Sequence, residues 1–237
     1  MNKKQVKSAL KKTWHFIWEE DSIASWIVNI ILAFILIKFL VYPALGFIFH
    51  TGFPVVAVVS GSMEHGLSPV CQDYDQTNDQ CLTYSSNMGF ICGNIIAKQG
   101  INFDKYWSTC GNWYASRNIT KDEFQGFSFR NGFNTGDIMV LYGEDPTKIK
   151  LGDIIVFSTS TRPDPIIHRV VKITKDQNTN LLIFATKGDH NEDTNTMVNE
   201  GMITQDRYIG KAVFRIPYLG WIKIGFVNFI NWIKAVI

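Results

Sequence analysis

A mainly β domain behind an amino-terminal transmembrane helix, with an apolar or amphipathic helix at the carboxyl terminus, is the fold class predicted for this 237-residue chain. Three observations predict it. Residues 23–49 are almost continuously apolar. Residues 138–216 hold short β-branched runs separated by turn residues, and the stretch from Trp221 to Ile237 is apolar again.

The first apolar run is interrupted by Asn29 and Lys38, yet exceeds the twenty or so residues needed to cross a bilayer core. Lys3, Lys4, Lys7, Lys11 and Lys12 precede it. Orientation follows Lys and Arg rather than net charge, so Glu19, Glu20 and Asp21 weigh little against them. Residues 1–22 are therefore expected to form a basic cytoplasmic tail, with everything after Phe49 outside the cytoplasm. The run is long for a cleavable export signal, and no convincing small-x-small cleavage site follows it.

Residues 50–215 are expected to form one β-rich exoplasmic domain. Its best strands are Val55–Val59, Ile138–Tyr142, Ile154–Ser158, Ile166–Ile173, Leu181–Lys187 and Tyr208–Ile216. Gly136-Asp137, Gly152-Asp153 and Gly188-Asp189 punctuate them, a recurrence that turn chemistry explains. Residues 67–134 read as an inserted lobe carrying Cys71, Cys81, Cys92 and Cys110. These lack the close C-x-x-C pairs of common zinc sites, and an even count outside the cytoplasm predicts two disulfides, with three pairings open. Asn118-Ile119-Thr120 is a glycosylation sequon.

Residues 216–237 are expected to be a membrane-associated helix. Lys223, Asn231 and Lys234 share one face with Asn228 at its margin, which favours a helix lying in the interface over a second crossing. A helix packed on the protein's own core is the plain alternative. The formal net charge is +2, and basic residues outside the amino terminus are scattered, so nothing suggests a nucleic-acid groove.

Chemistry concentrates in three places. The run Val55, Val56, Ala57, Val58 and Val59 ends at Ser60-Gly61-Ser62-Met63, which sets small hydroxyls at the end of a rigid element, with Gly61 expected to permit a sharp turn. His168 interrupts the apolar run Pro165–Val171, and a histidine near its ordinary pKa of about 6.5 is a suitable base for a serine. Thr186–Asp193 adds several carboxylates that could orient an imidazole. Taken singly, each reads as a turn or a sheet-face histidine; together they make a catalytic set.

The ordered blocks Ser60–Glu64, Thr135–Val140, Leu151–Phe157, Ile166–Val170, Lys187-Gly188-Asp189, Gly210 and Ile216–Gly220 resemble type I signal peptidase. The resemblance is to the archaeal and endoplasmic-reticulum branch that uses serine, histidine and aspartate. Bacterial relatives use a lysine base, and the matching position here holds His168. The segment near residues 65–134 lies outside the likeness.

The resemblance implies a signal-peptidase-type β domain with Ser62 as nucleophile and His168 as general base. The Ser62 amide and Ser60 hydroxyl would be the oxyanion donors. The family has two aspartates six residues apart; Asp189 matches the first, while the second position is Asn195. Asp189 is therefore favoured as the acid, with Asp193 as a rival. His65 and His190 are alternative bases that do not match the family position. The strand Val55–Val59 would receive the substrate as an added strand, with a preference for small residues before the cut. No cofactor is called for. The implied partners are signal-peptide-bearing preproteins, membrane lipid, and the secretion channel or accessory subunits. The implied place is the cell membrane or the endoplasmic-reticulum membrane. A non-catalytic signal-peptide-binding scaffold and a membrane protease of another precursor class are the alternatives.

Overall fold

The computed structural model describes residues 3–177 and 179–236, and the chain divides between Gly52 and Phe53 into two units. In the first, helix α1 (Lys3–Trp18) leads through a short turn into α2 (Ile23–Leu36). Ser22 caps α2 by accepting the Ser25 amide at 3.2 Å. The polar interruption at Asn29 is satisfied locally, because its side-chain amide donates to the Ile17 carbonyl at 2.8 Å.

The helix continues through a π turn (Ile37–Val41) into α3 (Tyr42–Phe49). Pro43 accounts for the widened turn. It lacks the amide that an α-helix would direct back to residue 39, and its ring crowds that carbonyl. Wider spacing relieves the conflict, and the Tyr42 amide reaches the Ile37 carbonyl instead. From Ile23 to Phe49 the helix runs 27 residues, long and apolar enough to cross a membrane. His50, in a left-handed conformation, ends it.

The second unit begins with β1 (Val55–Ala57). Next come β2 (Ser68–Asp75), β3 (Gln80–Ile91), β4 (Asn94–Ala97), α4 (Phe103–Ala115) and α5 (Lys121–Gln125). Then follow β5 (Ile138–Tyr142), β6 (Ile154–Thr159), β7 (Arg162–Lys175), β8 (Leu182–Lys187), β9 (Tyr208–Ile216) and α6 (Trp221–Val236). A six-stranded sheet has the order β1-β5-β9-β6-β7-β8, every neighbouring pair antiparallel, and β2-β3-β4 form a separate sheet. The mainly β class with a helix at each end is borne out.

Strand β6 shows why this sheet is stable. Ile154, Ile155, Val156 and Phe157 are all buried, and their side chains alternate between two cores. Ile154 and Val156 pack with Val58, Met63, Phe133, Met139, Leu141 and Ala212. Ile155 and Phe157 pack with Ile149, Val170, Phe184 and Ile203. A strand covered on both faces reads as a continuous apolar run, as this one does.

Strand β7 starts four residues earlier than its sequence suggests, running through Pro163 and Pro165. Pairing with β8 begins only at Arg169, so on that side the earlier half of β7 has no ladder for a proline to break. Strand β1 is shorter than expected and stops at Ala57.

Residues 67–134 hold the small sheet and helices α4 and α5. Their core of Ile91, Tyr106, Cys110, Tyr114, Ile119 and Phe124 also takes in Val171 from β7, so the insertion is bound into the domain. Cys71 pairs with Cys81 across the β2–β3 hairpin, and Cys92 pairs with Cys110 of α4.

Two of the three Gly-Asp turns share one construction. Gly136 and Gly152 have φ of 89° and 87°. The following carboxylates, Asp137 and Asp153, each accept the amide three residues upstream, Asn134 and Lys150, at 2.9 Å. Helix α6 starts against the first of these turns, where the Gly220 amide donates to Gly136 O at 2.8 Å. Beyond that start its large side chains, including Phe226, Phe229 and Trp232, are exposed, which is not the pattern of a helix packed on the protein's own core.

Candidate active site

Val58 carries the lacing of β1 one residue past its end: its amide donates to Asp137 O at 2.8 Å and its carbonyl accepts the Gly136 amide at 2.9 Å. The chain then turns, with the Glu64 amide on Gly61 O at 3.0 Å. Gly61 is not in the left-handed region, so the turn does not use its conformational freedom as expected. A Cβ there would instead crowd the Glu64 carboxylate at 3.3 Å, which folds back to accept the Thr135 amide at 2.8 Å.

Ser62 is held at both ends of its neighbourhood. Its carbonyl accepts the His190 amide at 2.9 Å. Met63 is completely buried, and its carbonyl accepts the Phe133 amide at 3.1 Å. The Ser62 side chain is left half-buried, facing His168.

His168 lies on β7 opposite Ile155, with its Nε2 2.8 Å from Ser62 Oγ. Ser60 Oγ is 3.3 Å from Ser62 Oγ. On the other side of the ring, Nδ1 is hydrogen-bonded to Oε1 of Glu200. A carboxylate can only accept, so Nδ1 carries the proton and Nε2 offers its lone pair to the serine hydroxyl. Ser62 then donates to His168, the arrangement a general base requires.

The other predicted residues go elsewhere. Asp189 is fully buried and accepts from Arg169 Nε at 2.9 Å, Arg169 NH2 at 2.7 Å, His65 Nε2 at 3.0 Å and Tyr114 OH at 3.1 Å. Burial alone would raise this carboxyl. Arg169 and the hydrogen bonds from His65 and Arg169 outweigh that and hold it well below the usual range. Asp193 is mostly exposed and accepts from Trp113 Nε1 at 2.8 Å and Arg117 NH2 at 3.3 Å. Among the described residues, Glu200 is therefore the carboxylate hydrogen-bonded to His168, where Asp189 was the sequence-based choice and Asp193 its rival.

The two alternative histidines are also engaged elsewhere. His65 stacks on Tyr106 with centroids 3.6 Å apart and points at Asp189. His190 donates from Nδ1 to Glu64 O at 3.1 Å and accepts from Ser68 Oγ at 2.9 Å, and burial pushes its imidazole below its ordinary pKa. Of the five residues proposed to receive substrate, Val55, Val56 and Ala57 form the outer strand of the sheet, Val58 is buried, and Val59 is exposed.

No protein-family model matches the chain. Over 102 residues it is 36% identical to the signal peptidase complex catalytic subunit SEC11C of human and of dog, covering 41% of this chain and 52% of each of those proteins. Over that stretch the chain is similar to signal peptidase catalytic subunits. The subunit sec11 of Schizosaccharomyces pombe is 37% identical over 94 residues, which is 38% of this chain and 47% of that protein. The chain thus spans about half the length of the curated relatives it matches.

Two residues of this chain's candidate site escaped sequence reasoning. Glu200 lies in Asn199-Glu200-Gly201, a stretch with no motif, and nothing in its spacing marks it. Gly188 was read as part of a turn, yet it has no positive φ. A Cβ on it would sit 2.8 Å from His168 Nε2 and 2.7 Å from Ser62 O. The glycine keeps the space in which the His168 ring and Ser62 meet.

Proposed function

We propose that this chain is a membrane-anchored serine endopeptidase that removes signal peptides from exported preproteins. The observation that carries the reading is the 2.8 Å contact between Ser62 Oγ and His168 Nε2, with a buried carboxylate on the opposite ring nitrogen. Asn195, a departure from the family pattern that with the inserted lobe kept a non-catalytic scaffold open, leaves the imidazole with a carboxylate partner all the same. That supports an enzyme.

In the proposed reaction Ser62 Oγ attacks the scissile carbonyl carbon as its proton passes to His168 Nε2. The carbonyl oxygen becomes an anion, met by the Ser62 amide and the Ser60 hydroxyl. Donors so placed are worth on the order of 3 kcal/mol each in the transition state. The C–N bond then breaks, His168 returns its proton to the leaving amine, and an acyl-enzyme ester remains. Water, deprotonated by His168, hydrolyses it and restores Ser62.

Substrate binding follows from the sheet order. Strand β1 pairs with β5 on one edge only, so an extended peptide can add along the other, with backbone bonds indifferent to sequence and small side chains selected near the cut. The helix Ile23–Phe49 would anchor the protein, with the lysine-rich amino terminus in the cytoplasm and the peptidase domain outside. Helix α6, about 24 Å long with exposed aromatic side chains, would lie against lipid. The relatives are named as subunits of a signal peptidase complex, which supports accessory subunits here too.

The test is cleavage of a signal-peptide-bearing preprotein by the full chain in detergent or lipid, with the cut mapped by mass spectrometry. A cut after a small-x-small sequence that disappears in Ser62→Ala is the expected result. Persistence of the cut in Ser62→Ala, or no cut by folded wild type, would sink the proposal.

A further inference from the structure

We infer that Glu200 is the positioning residue for His168, replacing the aspartate that resemblance led us to expect, and that Asp189 serves only to hold the fold. The inference deepens the proposed function and rests on it for its catalytic meaning.

The argument is one of occupancy. Asp189 is bonded by four donors, none of them on His168, and both its oxygens are taken up by Arg169. All five N–H positions of Arg169 are likewise accounted for, by Asp189 and by the carbonyls of Ser128, Gly152 and Phe129. Turning Asp189 toward the imidazole would strand a fully buried guanidinium. Asp193 is exposed and tied to Trp113 and Arg117.

Glu200 has the properties the role needs. It is fully buried, and each oxygen has one partner: Oε1 takes His168 Nδ1 and Oε2 takes the Asn195 amide at 2.9 Å. Its backbone is fixed as well, with its amide on Asn195 O at 3.2 Å and its carbonyl accepting the Thr186 amide of β8 at 3.0 Å. The side chain of Asn195 is turned away to cap the following turn, accepting the Met197 amide at 2.9 Å. Position 195 thus acts through its backbone, as a bracket for the glutamate. A carboxylate held at both oxygens and both backbone groups fixes the ring orientation and stabilises the imidazolium that forms during proton transfer.

Lys187 of β8 senses Glu200, Asp189 and Asp193, all of which favour its protonation, and Arg169, which opposes it. Ser62 faces the ring from the substrate side.

Two readouts on the full-length protein test the inference. Glu200→Gln keeps the size of the side chain and removes its charge. Its kcat for preprotein cleavage should fall by about 10³ to 10⁴, as when a triad carboxylate is neutralised. KM should stay within about twofold, and Glu200→Asp should recover part of the loss. The proton on His168 Nδ1, followed by NMR in the resting protein, should leave its low-field position in Glu200→Gln, because the charged acceptor that holds it has been removed. Asp193→Asn should change neither readout. A Glu200→Gln enzyme with near-wild-type kcat and an unmoved His168 Nδ1 proton signal would overturn the inference while leaving Ser62-dependent cleavage intact. A wild type that does not cleave, in which the His168 Nδ1 proton signal still moves on Glu200→Gln, would instead overturn the enzymatic reading and leave the pairing standing.

Discussion

Arg169 and Asp189 face each other in the interior, both inaccessible to solvent, with Nε on Oδ1 at 2.9 Å and NH2 on Oδ2 at 2.7 Å. The guanidinium also sits 4.8 Å from the Phe124 ring centroid and donates to Ser128 O and Phe129 O. One side chain of β7 therefore ties together the end of β8 and the segment following α5. Arg169 is the immediate neighbour of His168, so the pair fixes the strand on which that histidine is carried.

Asp189→Asn should destabilise the protein by roughly 3–5 kcal/mol, the usual cost of leaving one partner of a buried ion pair uncompensated. The pH dependence has a definite sign. The folded-state pKa of Asp189 is depressed, so its contribution is present above the unfolded value of about 4 and is lost as pH falls below it. Denaturant titrations between pH 3 and 7 should show wild type losing stability on the acid side and a shallower dependence in Asp189→Asn. Full stability with lost activity would instead assign Asp189 a direct part in catalysis.

Gly188→Ala should be far more damaging to turnover than to folding. The new methyl would meet His168 Nε2 and Ser62 O below 3 Å, and displacing either by about 1 Å can cost on the order of 10²-fold in rate. Overpacking of this kind costs about 1–3 kcal/mol in stability. Parallel measurement of kcat and thermal midpoint checks the expectation; unchanged kcat would mean that the site has room the geometry does not show.

Lys187 gives a prediction on the alkaline side. Its ammonium is buried, donates to Gly188 O at 3.0 Å, and has its pKa pulled down by burial to about 8, against the opposing pull of Asp189, Asp193 and Glu200. The unfolded value is near 10.4. Between about pH 8 and 10 the unfolded chain holds a proton that the folded one has released, so this group makes stability rise with pH by up to ~1.4 kcal/mol per unit. Lys187→Met should remove that rise, read as unfolding free energy against pH. An identical slope in both proteins would show that Lys187 stays charged when folded.

Much of this molecule could be read from its residues, for physical reasons that differ by element. Strand β6 announced itself because four consecutive buried apolar residues suit little else. The turns at Gly136-Asp137 and Gly152-Asp153 were legible because a positive φ and a side-chain cap are local requirements. Gly188-Asp189 looks the same on paper and is different in space: its aspartate answers to Arg169 twenty residues away, and its glycine answers to a close approach. Ser62 and His168 were found through a family pattern. Glu200 had no such marker, since its importance comes from the route of the chain after Asn195 and from no feature of its own neighbourhood.

Ser62 and His168 are 106 residues apart in the chain. Joining ends separated by that length costs about 4 kcal/mol of loop entropy beyond a constant, and the cost must be met before the contact gives anything back. At ribosomal rates of about 5–20 residues per second, roughly 5 to 20 seconds pass between synthesis of Ser62 and synthesis of His168. Throughout that interval Ser62 is an ordinary alcohol in the turn that follows an unfinished edge strand. On the proposed reading the protein is thus born unarmed, and becomes reactive only when nearly the whole sheet has been made.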